Sequence, residues 1–235
     1  MLPANRERIE AMLAGDDLVL DVGGWASPWE RADWVIDLMP YATRGLYGAS
    51  DPATERFGAE TWVERDFCDR EPWPFADDQF AFAVCSHTLE DVRDPVFVCA
   101  ELNRVARAGY LEVPSRLEEQ SWGVIGPYVG WSHHRWLVDV GRDRIEFVAK
   151  PHVVHANPAF HFPAGVAATL SPEERIQSLF WSGGFDYRER IFIEADELDA
   201  HLADPVRRHG PALQARLPRP GLRARLRGRL ARRRR

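Results

Sequence analysis

Residues 18–24 have the sequence LVLDVGG, a short apolar run that ends in an acid and two glycines. A nearly continuous run of this length is typical of a strand buried on both faces of a parallel sheet. Similar runs follow at residues 34–37, 62–66, 80–85 and 110–114. A helix is predicted between the last two, because Asp94 can cap it, Pro95 suits its first turn and Gly109 can end it. This alternation predicts an α/β fold with a Rossmann-like, mostly parallel sheet and helices on both faces.

The sequence changes character after residue 114. Residues 115–133 have few periodic signals and contain three glycines and a proline, so we expect a long loop there. Residues 135–140 and 144–149 flank a turn and predict an antiparallel hairpin. The second half therefore predicts a lobe of hairpin and loop.

Three further elements are predicted toward the end of the chain. Ser171 and Glu174 form a capping-box pattern, which predicts a helix carrying Leu179 that ends at glycines 183 and 184. Residues 185–193 alternate between polar and apolar and predict an antiparallel strand. A short last helix is expected over residues 197–203.

Composition excludes several classes of protein. The chain has 235 residues, of which 45% are hydrophobic and 28% are charged, values that indicate one ordinary globular domain. No apolar run approaches the roughly 18 to 20 residues that cross a bilayer, and the first residues lack an apolar signal core. We therefore expect a cytoplasmic protein. Cys68, Cys85 and Cys99 lack metal-ligand spacing and are expected to be small core residues.

Polar groups follow the ends of four predicted strands, where the carboxyl edge of a parallel sheet would bring them together. An acid after the second strand can accept hydrogen bonds from ribose hydroxyls, and a glycine turn after the first allows a ligand to approach the backbone. In chain order these groups are Asp21, Gly23, Gly24, Asp37, Asp66, Phe67, Ser86 and His87. The pattern predicts a ligand crevice at this edge.

Residues 73–95, WPFADDQFAFAVCSHTLEDVRDP, resemble the class I S-adenosylmethionine-dependent methyltransferases, most closely the branch called methyltransferase type 11. Together with the runs around residues 18–28 and 34–40, the resemblance covers about residues 16–115. It implies that Asp21, Gly23 and Gly24 line the methionine end of S-adenosyl-L-methionine and that Asp37 holds the ribose. It further implies a role at the adenine for Asp66 and Phe67, and at the floor near the sulfonium for Ser86 and His87.

The sequence departs from the family pattern in the glycine turn. Trp25 and Ser27 stand where the family has its second and third glycines, and Asp91 stands where it usually has His. The loop is similar to the short G-G-x-x-x-P loop of methyltransferases that act on sugars or the cell envelope. The resemblance thus implies a small-molecule or glycan-like methyl acceptor.

The resemblance divides the chain into a methyltransferase-like domain over residues 1–204 and a tail over 205–235. Within the domain, residues 1–115 would form the cofactor-binding core, 116–165 an insert on the acceptor side, and 166–204 a closing helix–strand–helix unit. All 36 acidic residues lie at or before Asp204, whereas 12 of the 30 basic residues follow it. We expect the Arg-rich tail to be mobile and to contact anionic membranes weakly, with no specific nucleic acid as partner.

His133 and His134 lie in a polar and aromatic segment, GWSHHRW, of the predicted insert. A histidine can act as a general base for a hydroxyl or amine acceptor, and these two are the catalytic candidates. The alternative roles are a metal site and a structural pair beside packed tryptophans, the commonest role of such residues. Because adjacent side chains point apart on a strand, no metal is predicted.

Three functions remain open on the sequence. The leading one is methyl transfer from S-adenosyl-L-methionine to a small molecule or glycan-like acceptor. The second is a catalytically inactive methyltransferase-like protein that docks on an acidic partner through its Arg-rich tail. The third is a nucleotide-sugar or dinucleotide enzyme, although the turn at residues 23–25 lacks the third glycine of that fingerprint.

Overall fold

The computed structural model describes residues 1–46 and 51–218, which form two β-sheets and six α-helices. The strands are β1 Val19–Val22, β2 Trp34–Asp37, β3 Trp62–Glu64, β4 Phe82–Ser86, β5 Ala108–Pro114, β6 Trp136–Val140, β7 Arg144–Ala149, β8 Ile176–Ser182 and β9 Asp186–Glu189. The helices are α1 Pro3–Met12, α2 Pro95–Val105, α3 Arg116–Glu119, α4 Val153–Ala156, α5 Pro172–Arg175 and α6 Ala195–Arg216.

The main sheet has six strands in the order β3-β2-β1-β4-β5-β8. The first five strands are parallel, and β8 is antiparallel to β5. Every residue of β1 is buried, as its apolar run predicts. The reversal of strand order at β1 creates a crevice at the carboxyl edge, between the ends of β1 and β4.

Helices cover both faces of this sheet, so the predicted α/β architecture is confirmed. On one face Ile9 of α1 packs in a core with Val19 and Val35. On the other face α2 contributes Val98 and Leu102 to the larger core. Helix α2 begins as predicted, because the Asp94 side chain accepts a hydrogen bond from the Phe97 amide.

The helix predicted after Ser171 is wrong beyond its first turn. The capping box is present, but α5 ends at Arg175 and the chain continues as β8. Leu179 packs into the larger core, and Phe180 contacts Tyr110 at 4.7 Å between ring centroids. Pairing along all of β5 satisfies the backbone of this aromatic-rich segment, an outcome that its local pattern does not reveal. Residues 166–204 therefore do not form a helix–strand–helix unit, because they contain two strands, β8 at the edge of the main sheet and one in the second sheet.

The second sheet has three strands in the order β6-β7-β9. The hairpin of β6 and β7 is confirmed by its antiparallel register. The strand predicted over residues 185–193 is shorter, and its predicted direction is wrong, because β9 runs parallel to β7.

The expectation of a mobile tail from residue 205 is wrong for residues 205–216, which belong to α6. Leu213 is 2% exposed and packs with Phe162, Val166 and Leu170. Arg216 forms an ion pair of 2.7 Å with Glu174. The sequence did not predict this part of α6, because the helix contains two prolines and proline normally interrupts a helix. The end of the predicted tail, residues 219–235, lies outside the described residues.

Residues 115–133, predicted as one long loop, begin with the single helical turn α3. Glu118 and Glu119 are buried there, as is Gln120. Buried carboxylates need partners, and the partners of Glu119 form part of the site below. Within residues 1–46 and 51–218, no helix has the length and apolar character needed to cross a membrane.

Candidate functional site

A cavity of about 930 Å³ opens at the carboxyl edge of the main sheet. Its size is that of a pocket for a cofactor or another drug-sized ligand. Among its lining residues are the predicted site residues Asp21, Gly23, Gly24, Asp37, Phe67, Ser86, His87, His133 and His134. The structure thus brings the predicted strand-end groups and the predicted catalytic histidines to one continuous space.

Asp21 shapes the turn that follows β1. It is 4% exposed, and its Oδ2 accepts a hydrogen bond of 2.9 Å from the Trp29 amide. A Cβ on Gly24 would overlap the Asp21 carboxyl group, and one on Gly23, where φ is +76°, would overlap Thr88. Both glycines are therefore required by the packing of the chain itself.

Asp37 holds the far side of the same turn. Its Oδ2 accepts from the Trp25 amide at 2.9 Å, and its Oδ1 accepts from the Met39 amide at 2.8 Å. Burial raises the pKa of Asp37, while these backbone hydrogen bonds oppose the rise. The Leu38 amide is a third backbone donor to this carboxylate, which leaves about one of its four lone pairs for a ligand.

Of the two residues predicted at the adenine, Phe67 lines the cavity and Asp66 does not. Phe67 is buried and lines the cavity. The carboxylate of Asp66 instead forms an ion pair with Arg93 and accepts from the Cys68 amide at 3.0 Å. Within the described part of the chain, Asp66 is not among the residues that line the cavity.

His87 follows β4 with a left-handed backbone, φ +54°. Its Nε2 lies 3.1 Å from Glu112 Oε1 and its Nδ1 lies 3.4 Å from Glu90 Oε1. Burial lowers the pKa of His87, but hydrogen bonds to the two carboxylates outweigh this and raise it to about 9. His87 is therefore a cation at neutral pH.

Glu112 is a functional residue that the sequence interpretation missed. It is 1% exposed in the middle of β5, and it accepts hydrogen bonds from Tyr110 and, at 3.2 Å, from Ser86. Burial raises the pKa of Glu112, yet the bonds from His87 and Tyr110 bring it to about 2. The signal was a single acid within the apolar run YLEVP.

Three buried polar atoms of the lining residues lack partners. Among the described residues, Glu90 Oε2, Trp29 Nε1 and Asp91 Oδ1 have no hydrogen-bond partner. Buried polar groups are normally paired, and an unpaired one at a cavity is available to a ligand. Because Asp21, Asp37 and Glu112 also line this space, the cavity is rich in carboxylates. It suits a ligand that carries positive charge.

The expectation that His133 and His134 point apart is wrong. They lie in a bend before β6, and their rings are 4.6 Å apart between centroids. His133 Nε2 lies 3.9 Å from one oxygen of Asp91, and His134 Nε2 lies 3.8 Å from the other. A bend, unlike a strand, allows adjacent side chains to converge on the same side.

The ring of His134 is held in place by Trp131 and Glu119. Its side chain is 7% exposed, its ring stacks on Trp131, and its Nδ1 lies 2.8 Å from Glu119 Oε2. Since a carboxylate only accepts, Nδ1 carries the hydrogen of this bond, and Nε2 is the ring nitrogen left for another partner. Lys150 pairs with the other Glu119 oxygen. A Cβ on Gly130, where φ is +62°, would overlap the Glu119 backbone.

The strand order and the cavity define a Rossmann-like α/β protein with a ligand site at its carboxyl edge. No protein-family model matches the chain, and no curated protein matches it. Methyltransferase type 11 therefore remains a prediction.

The chain is similar to several solved structures. For the YcgJ protein from Bacillus subtilis, identity is 18% over 47% of this chain and 50% of that chain, with a TM-score of 0.37. A SAM dependent methyltransferase from Aquifex aeolicus is 16% identical over 53% of this chain and 69% of that chain, with a TM-score of 0.38. An S-adenosylmethionine dependent methyltransferase from Mesorhizobium loti is 17% identical over 64% of this chain and 66% of that chain, with a TM-score of 0.37. The chain spans about half the length of YcgJ. Similarity at these sequence identities and TM-scores supports no conclusion about the function of the present chain.

Asp21 should make the stability of the protein depend on pH. Burial raises the pKa of this carboxyl group from 3.8 to about 7, so the folded state holds a proton that the unfolded state has lost. This contribution to stability is present below about pH 4 and is lost as pH rises through 7. The difference between the two pKa values amounts to roughly 4 kcal/mol.

We expect Asp21→Asn to gain stability relative to the parent protein between pH 4 and pH 8, by up to about 4 kcal/mol. Urea unfolding of both proteins at a series of pH values measures this difference. A difference that stays constant over that range contradicts the assignment.

Proposed function

We propose that this protein transfers the methyl group of S-adenosyl-L-methionine to a small-molecule or glycan-like acceptor. The observation that carries the proposal is one cavity that is lined both by Asp21, Asp37 and His87 at the strand ends and by His134 just before β6. The resemblance of residues 16–115 to class I methyltransferases indicates which residues of the cavity would contact each part of the cofactor. The cofactor would supply an activated sulfonium methyl.

The residues of the cavity fit that cofactor. Asp37 has about one lone pair free for a ribose hydroxyl, and Phe67 offers an apolar face to the adenine. The turn at Gly23 and Gly24 would line the methionine end, next to Asp21.

The charge of the cavity floor also favours this cofactor. S-adenosyl-L-methionine carries a sulfonium and an ammonium, and both are stabilised by nearby carboxylates. Glu90 is 1% exposed and offers an Oε2 that has no partner among the described residues. Glu112 is an ionised carboxylate at the end of the same floor, because hydrogen bonds hold its pKa at about 2. His87, a cation on the same floor, offsets part of this negative charge.

At the acceptor end, His134 is the candidate for removing a proton. Its Nδ1 hydrogen points to Glu119, so Nε2 is the atom left to accept a proton from a hydroxyl or amine. Glu119 would stabilise the charged ring that results. Trp131, which stacks on His134, offers a surface for a sugar or planar acceptor.

The test is the affinity of the protein for S-adenosylhomocysteine, measured by calorimetry. Asp37→Ala should weaken binding about 10- to 150-fold, or about 1.5 to 3 kcal/mol, because the ribose loses an ionised acceptor. Glu64→Ala is the matched control, since Glu64 is an exposed acid at the end of β3.

Unchanged affinity in a folded Asp37→Ala variant would contradict the ribose assignment. Asp37→Asn keeps one acceptor oxygen for the turn and separates loss of the ligand contact from distortion of the loop. Binding without turnover across a broad set of acceptors would instead favour the inactive, docking alternative.

A further inference from the structure

Three potential metal ligands converge at the acceptor end of the cavity. Asp91, His133 and His134 each place one ligand atom so that all three atoms lie within 4.8 Å of one another. The residues come from two segments, one just before α2 and one just before β6, so their convergence is a product of the fold. All three line the cavity.

The arrangement is electrostatically incomplete. His134 Nδ1 is committed as a donor to Glu119, and Nε2 faces Asp91 Oδ1 across 3.8 Å. That gap is too long for a hydrogen bond. Asp91 Oδ1 is buried and has no hydrogen-bond partner among the described residues. A cation placed between these two atoms could be bound by both.

The spacing suits a coordinated ion. With bonds of about 2.1 Å, two ligands of one ion stand about 3.0 Å apart in octahedral and about 3.4 Å apart in tetrahedral geometry. The separations of 3.8 Å to Asp91 Oδ1 and 3.9 Å to Asp91 Oδ2 would shorten by less than an ångström, and the three ligand atoms, which lie within 4.8 Å of one another, would close by at most about 1.8 Å. His133 is 58% exposed and can move without disturbing the core.

The residues behind the ligands resemble the support found in metal sites. A metal-binding histidine normally donates its other ring nitrogen to a carboxylate, which orients the ring and makes it a better ligand. Glu119 does this for His134 and is itself 2% exposed and paired with Lys150. Glu119 is thus a positioning residue.

We infer that Asp91, His133 and His134 bind one divalent transition-metal ion with an open coordination position toward the cavity. Two imidazoles and one carboxylate favour ions such as Zn²⁺, Fe²⁺ or Mn²⁺ over Ca²⁺ or Mg²⁺, which prefer oxygen ligands alone. The sequence interpretation predicted no metal, because it placed the two histidines on a strand.

The site also narrows the class of acceptor, a step that rests on the proposed function. An ion held by three protein ligands keeps positions for a further ligand, and these would face the space opposite His87. The acceptor would bind there through an oxygen atom, so a hydroxyl-bearing compound is favoured over a simple amine. Because Nε2 of His134 would then be a ligand, the bound ion, and not this imidazole, would promote loss of the hydroxyl proton.

The experiment is a titration of the chelator-treated, full-length protein with Zn²⁺, followed by calorimetry. We expect one ion to bind, and Co²⁺ to give the visible absorption of a site with nitrogen ligands. Asp91→Asn and His134→Gln should each lower Zn²⁺ affinity by at least about 100-fold, and Glu119→Gln by about 10- to 100-fold. His152→Gln is the matched control, because His152 is exposed and lies outside the cavity.

Either of two results would overturn the inference. One is failure of the parent protein to bind stoichiometric Zn²⁺. The other is equal binding by the parent and Asp91→Asn proteins, which would assign the ion to other histidines. Thermal unfolding checks that each variant is folded. S-adenosylhomocysteine binding, measured on the same samples, tests the cofactor separately, so the two proposals can fail independently.

Discussion

Replacement of His134 by Gln should lower methyl transfer by about 10²- to 10⁴-fold and leave the affinity for S-adenosylhomocysteine unchanged. The residue lines the cavity from the segment before β6, whereas the turn and the acid that would hold the cofactor belong to the ends of β1 and β2. Gln can still donate a hydrogen bond to Glu119, so the buried carboxylate keeps a partner. What it lacks is the basic Nε2 lone pair.

The measurement is the rate of S-adenosylhomocysteine release with an acceptor found by screening hydroxyl- and amine-bearing compounds. His152→Gln changes the same side chain outside the cavity and should retain full activity. Full activity of the His134→Gln protein would exclude this residue from the reaction. Loss of folding would place it among the structural histidines.

Truncation after Asp204 should destabilise the protein by at least about 3 kcal/mol, which lowers its melting temperature by roughly 6 to 12 °C. The deletion removes the second half of α6 and exposes the cluster of Phe162, Val166 and Leu170 that Leu213 covers. It also removes the Arg216–Glu174 ion pair, which contributes little because both groups are exposed to solvent.

Truncation after Pro218 is the matched control, since it keeps every residue of α6 and should leave the melting temperature unchanged. Leu213→Ala in the full chain should account for about 2 to 4 kcal/mol of the loss. Equal melting temperatures for the two truncated proteins would show that the end of α6 does not stabilise the domain.

Elements whose signals are local could be predicted from the sequence. The strand around Asp21 and the helix capped by Asp94 each contain their own periodicity and end signals, and both form as expected. The hairpin of β6 and β7 was predictable for the same reason. The strand-end groups followed, because parallel strands place their carboxyl ends at one edge.

Elements decided by distant partners could not be predicted. Residues 176–182 contain a helix-compatible pattern, and their identity as a strand depends on pairing with β5. The continuation of α6 past Pro205 depends on a cluster about 45 residues earlier in the chain. Tertiary packing overrides local propensity in both cases.

In the candidate site too, residues with a local sequence signal could be predicted and residues placed by distant contacts could not. Asp37 and His87 were found because they stand at or directly after the end of a strand, whereas Glu112 lies inside one. The partnership of His134 with Glu119 joins the bend before β6 to the helical turn α3, and no local pattern in the sequence specifies that contact. The convergence of Asp91 with the two histidines depends on that partnership, so the metal-binding arrangement was invisible in the sequence.

The central claim is that the cavity binds S-adenosyl-L-methionine, and calorimetric titration of the full-length protein with S-adenosylhomocysteine tests it most directly. Parallel titrations with NAD and a nucleotide sugar provide the comparison, because both ligands can occupy the carboxyl edge of a Rossmann-like sheet. We expect one molecule of S-adenosylhomocysteine to bind and the two phosphate-bearing ligands to be excluded by the carboxylates of the cavity. Binding of NAD or the nucleotide sugar with no binding of S-adenosylhomocysteine would contradict the account.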